Sequence, residues 1–364
     1  MLVIDFQTAD TRQLTDLAAE KLHCDIADWE KAIWTFISNW FNPAVTHMAV
    51  YTSGSTGTPK KIEHSKQVML ASAELTCSAL NLKQSDSALL CLPANKIGGI
   101  MMLVRSIHCK MTLHCIKPST TPLNDIPDSL NINFAALTPM QLNSAAHNYE
   151  HFKKAEKIDK IILGGEAISA EVLQLLGRYN NSIYHTFGMT ETVSHIALKK
   201  LTGKDRDVHY KTMPGIRIHT DENKRLIIEA PVLGQSYLQT NDLVRLVSEN
   251  EFDWLGRTDN IINSGGVKIN PEEIEQQLQT HIQPSFFIGA LPDPLSGQRL
   301  VIAIEMSELS IEDKTELKQV IASLPKLKQP KTALLFHRFV RTDNGKTKRE
   351  ETLSQPYELL TLND

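Results

Sequence analysis

Apolar positions along the chain fall in short runs, separated by segments with helical spacing. Strand-like runs stand at 45–51, 87–92, 111–116, 132–137, 159–163 and 182–187. Helical stretches at 65–80, 98–109, 139–148 and 169–178 lie between them. Short apolar strands alternating with helices predict βαβ units and a largely parallel sheet with both faces covered. Ahead of these, residues 1–44 predict a short extended start and one helix from Asp25 to Asn39. Its Trp29, Ile33, Trp34 and Ile37 recur at helical spacing and read as core.

After Lys200 the pattern changes. Residues 205–258 read as β-rich, with strands at 216–220, 225–229, 243–247 and 252–254. Gly256 to Asn260 marks a boundary. Beyond it Asn270-Pro271-Glu272-Glu273 is a helix start, with an N-cap, a proline in the first turn and acids at the positive dipole end. Strands at 285–290, 300–305 and 332–340 and a helix at 311–323 complete an α+β unit. The pattern predicts a large α/β domain over 1–258, β-rich from about 205, and a small α+β domain over 259–364.

Composition narrows the class. Hydrophobic content of 41% and charged content of 22% over 364 residues suit a globular protein with a sizeable core. A net charge of −4 gives no general attraction to nucleic acid or an anionic membrane. The most apolar segment, Ile97 to Val104, is too short to span a bilayer, and Met1 to Asp10 has no signal-peptide pattern. A cytoplasmic protein is expected. The five cysteines form no C-x-x-C pair, so reduced, mostly buried thiols are expected.

Candidate chemistry begins at Thr52-Ser53-Gly54-Ser55-Thr56-Gly57-Thr58-Pro59-Lys60, between an apolar run and a helix. Its glycines let successive N–H groups converge on an anion, its hydroxyls add donors, and Lys60 adds a point charge. That suits a polyphosphate, although the spacing is not that of the common P-loop. Ligands of parallel sheets sit at the carboxyl ends of strands. Two further loops should gather there: Gly164-Gly165-Glu166, and Phe187-Gly188-Met189-Thr190-Glu191-Thr192.

With Thr240-Asn241-Asp242, Gly256-Arg257-Thr258-Asp259, the run Ser264 to Glu275, and Asn344-Gly345-Lys346, these loops resemble those of the acyl-adenylate-forming superfamily. That superfamily holds acyl-CoA synthetases, peptide-synthetase adenylation domains and luciferases. Seven matches stand in family order from Thr52 to Arg349. Within the superfamily, Gly188-Met189-Thr190-Glu191-Thr192-Val193-Ser194-His195-Ile196 resembles the o-succinylbenzoate–CoA ligases of menaquinone biosynthesis, in a compact form.

The resemblance implies a ligase that adenylates a small-molecule carboxylic acid with ATP and Mg²⁺, then transfers the acyl group to CoA. The first loop would hold the β- and γ-phosphates through backbone N–H groups, Thr52, Ser53, Ser55, Thr56 and Lys60. Phe187 would stack on adenine beside Gly164 to Glu166, and Asp242 would accept from both ribose hydroxyls, with Arg257 as a neighbouring nucleotide contact. Asn241 stands where the family carries glycine. Thr190 would contact the α-phosphate and Glu191 would hold Mg²⁺. Lys346, on the small domain, would stabilise the transition state. Asp259 matches a hinge about which that domain swings, bringing Ser264, Gly265 and Gly266 to the pantetheine channel. Lys96, Arg105, Ser194 and His195 are candidates for the acid, and Asn95-Lys96 departs from the family pattern. Another aryl or acyl acid, a carrier-protein acceptor, or a non-catalytic nucleotide-binding regulator remain open alternatives.

Overall fold

The computed structural model describes residues 1–51, 60–166, 168, 170–279, 281–282, 284–342 and 347–362. The phosphate-loop run at 52–59 and the turn at 343–346, which holds Lys346, lie outside them.

Twelve strands form one continuous sheet. Its order is Leu2–Asp5, Thr112–Cys115, Ser87–Leu90, Phe134–Leu137, Lys160–Leu163, Ser182–Gly188, His195–Lys200, Tyr210–Thr212, Glu251–Arg257, Gln235–Leu246, Arg225–Ala230 and Arg217–Thr220. The five strands from Thr112–Cys115 to Ser182–Gly188 pair in parallel, as the alternation with helices predicts. The β-rich stretch extends this sheet with antiparallel strands and does not form a sheet of its own. Ser87–Leu90 has the next strand in the chain on one side and Phe134–Leu137 on the other. The winding direction reverses there, and crevices open at the carboxyl ends beside such a reversal.

The helices between these strands form where their ends are capped. Ser65 accepts from the Val68 N–H at the start of Lys66–Ala79. Thr138 and Gln141 close a reciprocal capping box on Pro139–Ala146. Helix Asp28–Phe41 buries Ile33, Trp34, Phe36, Ile37 and Trp40 against the main core. Helices Thr11–Leu22 and Tyr149–Glu156 went unpredicted because each buries only two side chains, and so did the five-residue Arg349–Leu353, which buries only Thr352.

The apolar run at 45–51 is not a parallel strand. His47–Tyr51 pairs antiparallel with Lys61–Ser65 in a separate hairpin, with exposed and buried residues alternating along it. Residues 52–60 therefore connect two strands of a hairpin, where a strand-to-helix loop was expected. Cys77 and Cys109 bring their sulfurs together between two packed helices, and Cys91 and Cys115 are buried free thiols, as expected. Among the described residues, no helix is long and apolar enough to cross a membrane.

A second sheet of six strands begins at Ile262–Ser264. Helix Pro271–Leu278, capped by Asn270, packs on it and also touches Glu251–Arg257 of the long sheet. The Asn270 amide donates to the Leu255 carbonyl at 2.8 Å across that contact.

Candidate active site

The carboxyl ends of the parallel strands open onto a cavity of about 590 Å³. Gly165 and Glu166 enter its wall just after Lys160–Leu163, and His185 to Met189 enter from the end of Ser182–Gly188. Tyr210, Asp242, Trp254 and Arg257 complete the side contributed by the long sheet. Facing them are Glu272, Glu275, Phe286, Phe287, Phe339, Arg341, Thr347 and Arg349.

Phe187 stands edge-on to Phe252, with centroids 5.0 Å apart, and to Tyr210 at 5.8 Å. Such edge contacts set the ring's orientation. Beside it His185 is held by two hydrogen bonds. Its Nε2 donates to the Glu166 carbonyl at 3.0 Å, which leaves Nδ1 to accept from the Tyr210 hydroxyl at 2.5 Å. Burial, with Lys199 nearby, lowers the His185 pKa to about 4, so the imidazole is neutral near pH 7.

Gly188 lets the backbone bulge as it passes its neighbour. It pairs with His195 across a register shift, and a Cβ there would lie 2.3 Å from the Ser194 carbonyl oxygen. The chain then makes one 3₁₀ turn, Thr190–Thr192, followed by Val193 at φ 67° and ψ −51°. The Ser194 N–H donates to the Thr192 carbonyl at 2.7 Å, closing a γ-turn about a buried β-branched residue, a costly geometry. The surroundings hold this turn in place. His64 Nε2 donates to the Thr190 carbonyl at 2.7 Å, and Gln235 donates to the Glu191 carbonyl at 2.8 Å. His64 belongs to the hairpin that carries the loop at 52–60, so the hairpin stem is tied directly to Thr190.

Asp242 is buried on the cavity wall. Trp254 Nε1 donates to its Oδ1 at 2.9 Å, and the Arg257 guanidinium reaches Oδ2 at 3.4 Å. Arg257 also donates to Asp259 at 2.6 Å, and the Asn241 amide donates to the other oxygen of Asp259 at 2.8 Å. Asn241 thus ties strand Gln235–Leu246 to Asp259, the expected hinge, which a glycine cannot do.

Arg105, Ser194 and His195 form a buried chain behind Gly188. Arg105 Nη2 donates to Ser194 Oγ at 2.6 Å, Ser194 Oγ lies 3.4 Å from His195 Nδ1, and His195 Nε2 lies 3.1 Å from Thr76 Oγ1. Burial and the Arg105 charge hold His195 well below the usual imidazole range, so it is neutral. Arg105 Nε has no partner, and among the described residues no carboxylate pairs with this guanidinium.

The structure thus gathers Gly165, Glu166, Phe187, Gly188, Asp242 and Arg257 on one cavity. Gly164 leads into it, and Thr190 and Glu191 lie one turn beyond. Arg105, Ser194 and His195 do not line it. Lys96, half-buried at the start of helix Ile97–Cys109, and the exposed Lys60 are also absent from its wall. Ser264, Gly265 and Gly266 make the turn between Ile262–Ser264 and Val267–Ile269, with φ of 58° and 82° at the glycines, and do not line it either. Sequence reasoning missed His64, His185, Tyr210 and Trp254, whose parts depend on partners distant in the chain.

Residues 4–227 match the family described as AMP-binding enzyme. A 2-succinylbenzoate–CoA ligase from Haemophilus influenzae is 28% identical over 294 residues, a match covering 76% of this chain and 62% of that relative. The chain thus spans less than two thirds of that relative's length. The crystal structure of an acyl-CoA synthetase (AMP-forming)/AMP-acid ligase II-like protein from Dyadobacter fermentans is 32% identical. It superposes with a TM-score of 0.62 over 93% of this chain and 97% of that one. The fold is also that of o-succinylbenzoate coenzyme A synthetase from Bacillus subtilis in complex with AMP, at 21% identity and a TM-score of 0.69, covering 85% of this chain and 69% of that one. On the span of the family match, more than half of its length, this chain belongs to the AMP-binding enzyme family.

Proposed function

We propose that this chain is an AMP-forming acid–CoA ligase acting on o-succinylbenzoate. In the first step a carboxylate oxygen attacks the α-phosphorus of ATP, and pyrophosphate leaves. In the second the CoA thiol attacks the acyl carbon, and AMP leaves as the thiol proton is lost. One observation carries the proposal: Arg341 and Thr347, which bracket the turn holding Lys346, line the same cavity as Gly165, Phe187 and Asp242. A basic side chain carried between those two residues would reach a nucleotide seated there.

Phe187 would take the adenine and Asp242 the ribose hydroxyls, since a carboxylate accepts from two donors at once. The hairpin stem tied to Thr190 would bring the loop at 52–60 to the phosphates. Glu191 suits Mg²⁺, which is held by one or two carboxylates, its own waters and substrate phosphates. Among the described residues no group of three or more acidic, His or Cys ligands competes for that role. Mg²⁺ there would neutralise phosphate charge. Lys346 would stabilise the charge that builds as carboxylate and phosphate meet.

The acid is chosen for its two carboxylates. Arg105, wholly buried behind Gly188 and off the cavity wall, would bear on the carboxylate that does not react only through the Ser194 hydroxyl that it holds. The second step would follow a swing of a small domain over 259–364 about Asp259, bringing Ser264 to Gly266 towards the thiol. The proposal places the enzyme in the cytoplasm with its ATP and CoA. Thioester formation across a panel of aryl and acyl acids tests it: o-succinylbenzoate should give the highest kcat/KM. A better monocarboxylic acid would remove the substrate assignment, and turnover only with a carrier protein would remove CoA.

A further inference from the structure

We infer that Trp254 is a positioning residue for the nucleotide ribose, acting by fixing the carboxylate of Asp242, and that its indole reports the ribose's arrival. This rests on the nucleotide site proposed above. Asp242 lines the cavity, and a different donor addresses each of its oxygens: Trp254 Nε1 at Oδ1, 2.9 Å away, and Arg257 at Oδ2, 3.4 Å away.

A carboxylate turns about its Cβ–Cγ bond unless its oxygens are held. Here one neutral donor and one charged donor help to set the plane, and a carboxylate oxygen that accepts from one donor can accept from a hydroxyl as well. The indole bond is the shorter and better placed of the two. Arg257 also spends its other amino group on Asp259, so of these two donors the indole is the one committed to Asp242 alone. The pair is also close in the fold: Asp242 is matched with Arg257 across two adjacent strands, and Val244 with Trp254. Trp254 reaches back along the strand pair to do this, and its ring lines the cavity.

Its reporting role follows from where the other indoles lie. The chain has four tryptophans, and Trp29, Trp34 and Trp40 all sit on helix Asp28–Phe41. Of the four, only Trp254 lines the cavity. A hydroxyl arriving at Asp242 changes the hydrogen bonding of that indole alone.

The test compares ATP, 2′-deoxy-ATP and 3′-deoxy-ATP on wild type, Trp254→Phe and Trp254→His. Direct binding is measured first, then KM and kcat for adenylation. Trp254→Phe should raise the Kd and KM for ATP five- to twenty-fold with kcat within two-fold. The penalty should shrink to less than two-fold with at least one deoxynucleotide, the one lacking the hydroxyl that Oδ1 accepts. Trp254→His, which keeps a ring N–H, should recover part of the loss. In wild type, ATP should shift the tryptophan emission more than that same deoxynucleotide does, a reading that needs no variant to fold. An equal penalty for all three nucleotides, or an emission blind to the ribose hydroxyls, would overturn the inference. If wild type binds no ATP, the nucleotide site itself fails and the inference goes with it. If wild type binds ATP and only the ribose dependence is absent, the site stands and Trp254 is packing alone.

Discussion

Replacing Arg105 by methionine should make the protein more stable and less active. Burial lowers the Arg105 guanidinium from its ordinary 12.5 to about 9, which corresponds to about 5 kcal/mol for keeping the charge where it lies. The bond to Ser194 and local relaxation return part of this. Buried ionic groups replaced by apolar side chains of similar volume gain about 1–4 kcal/mol. The folded chain holds this proton less tightly than the unfolded one, so the cost is fully present below about pH 9 and is relieved only as pH rises from there towards 12.5. Calorimetry at pH 7 should therefore show Arg105→Met melting higher by roughly 2–8 °C. The same variant should bind the acid less well. Acting through Ser194, Arg105 would contribute about the 0.5–1.5 kcal/mol of one hydrogen bond, or roughly 2- to 10-fold in the KM for o-succinylbenzoate, with the KM for ATP little changed. Wild type should gain melting temperature when the acid is added, and the variant should gain less. A lower melting temperature with an unchanged KM for the acid would show that Arg105 is a structural group and no part of the acid site.

Three further outcomes follow from the geometry. Lys346→Ala should slow adenylate formation by about 10²–10³ while largely sparing thioester formation from supplied acyl-adenylate; equal losses in both steps would exclude an exchange of domains between them. Asp242→Ala should weaken ATP binding by roughly 10- to 100-fold with a smaller effect on kcat, read by calorimetric titration, because it removes a charged acceptor; an unchanged ATP affinity would take Asp242 off the ribose. Gly188→Ala should cost about 1–3 kcal/mol or more, because its Cβ would meet backbone that has no room to move; a denaturant melt matching wild type would show that the bulge tolerates a side chain.

Much of this arrangement was legible in the sequence, and the parts that were not share a cause. Helices at Lys66–Ala79 and Pro271–Leu278 carry their own start signals, Ser65 and the Asn270-Pro271 pair, and both form where those signals fall. The buried parallel strands announce themselves as apolar runs, and the two loops after Lys160–Leu163 and Ser182–Gly188 follow from that reading. The hairpin at 47–65 was misread because the run at 45–51 was judged by its apolar content. Its alternation, with Met48 and Val50 inward and His47, Ala49 and Tyr51 outward, was the better signal. Helix Tyr149–Glu156 buries only Phe152 and Ala155, too little to impose a period. The Cys77–Cys109 contact and the ties made by His64, His185 and Trp254 join residues far apart in the chain. Asp242 shows the same limit: its motif was readable, but the indole and guanidinium that orient it were not.

Reversible adenylation is the step on which the whole account rests, and ATP–pyrophosphate exchange measures it without CoA. With Mg²⁺, ATP, labelled pyrophosphate and o-succinylbenzoate, label should enter ATP only when the acid is present, and Lys346→Ala should abolish that incorporation. Protein that binds ATP yet exchanges no label with o-succinylbenzoate or any other acid would contradict it.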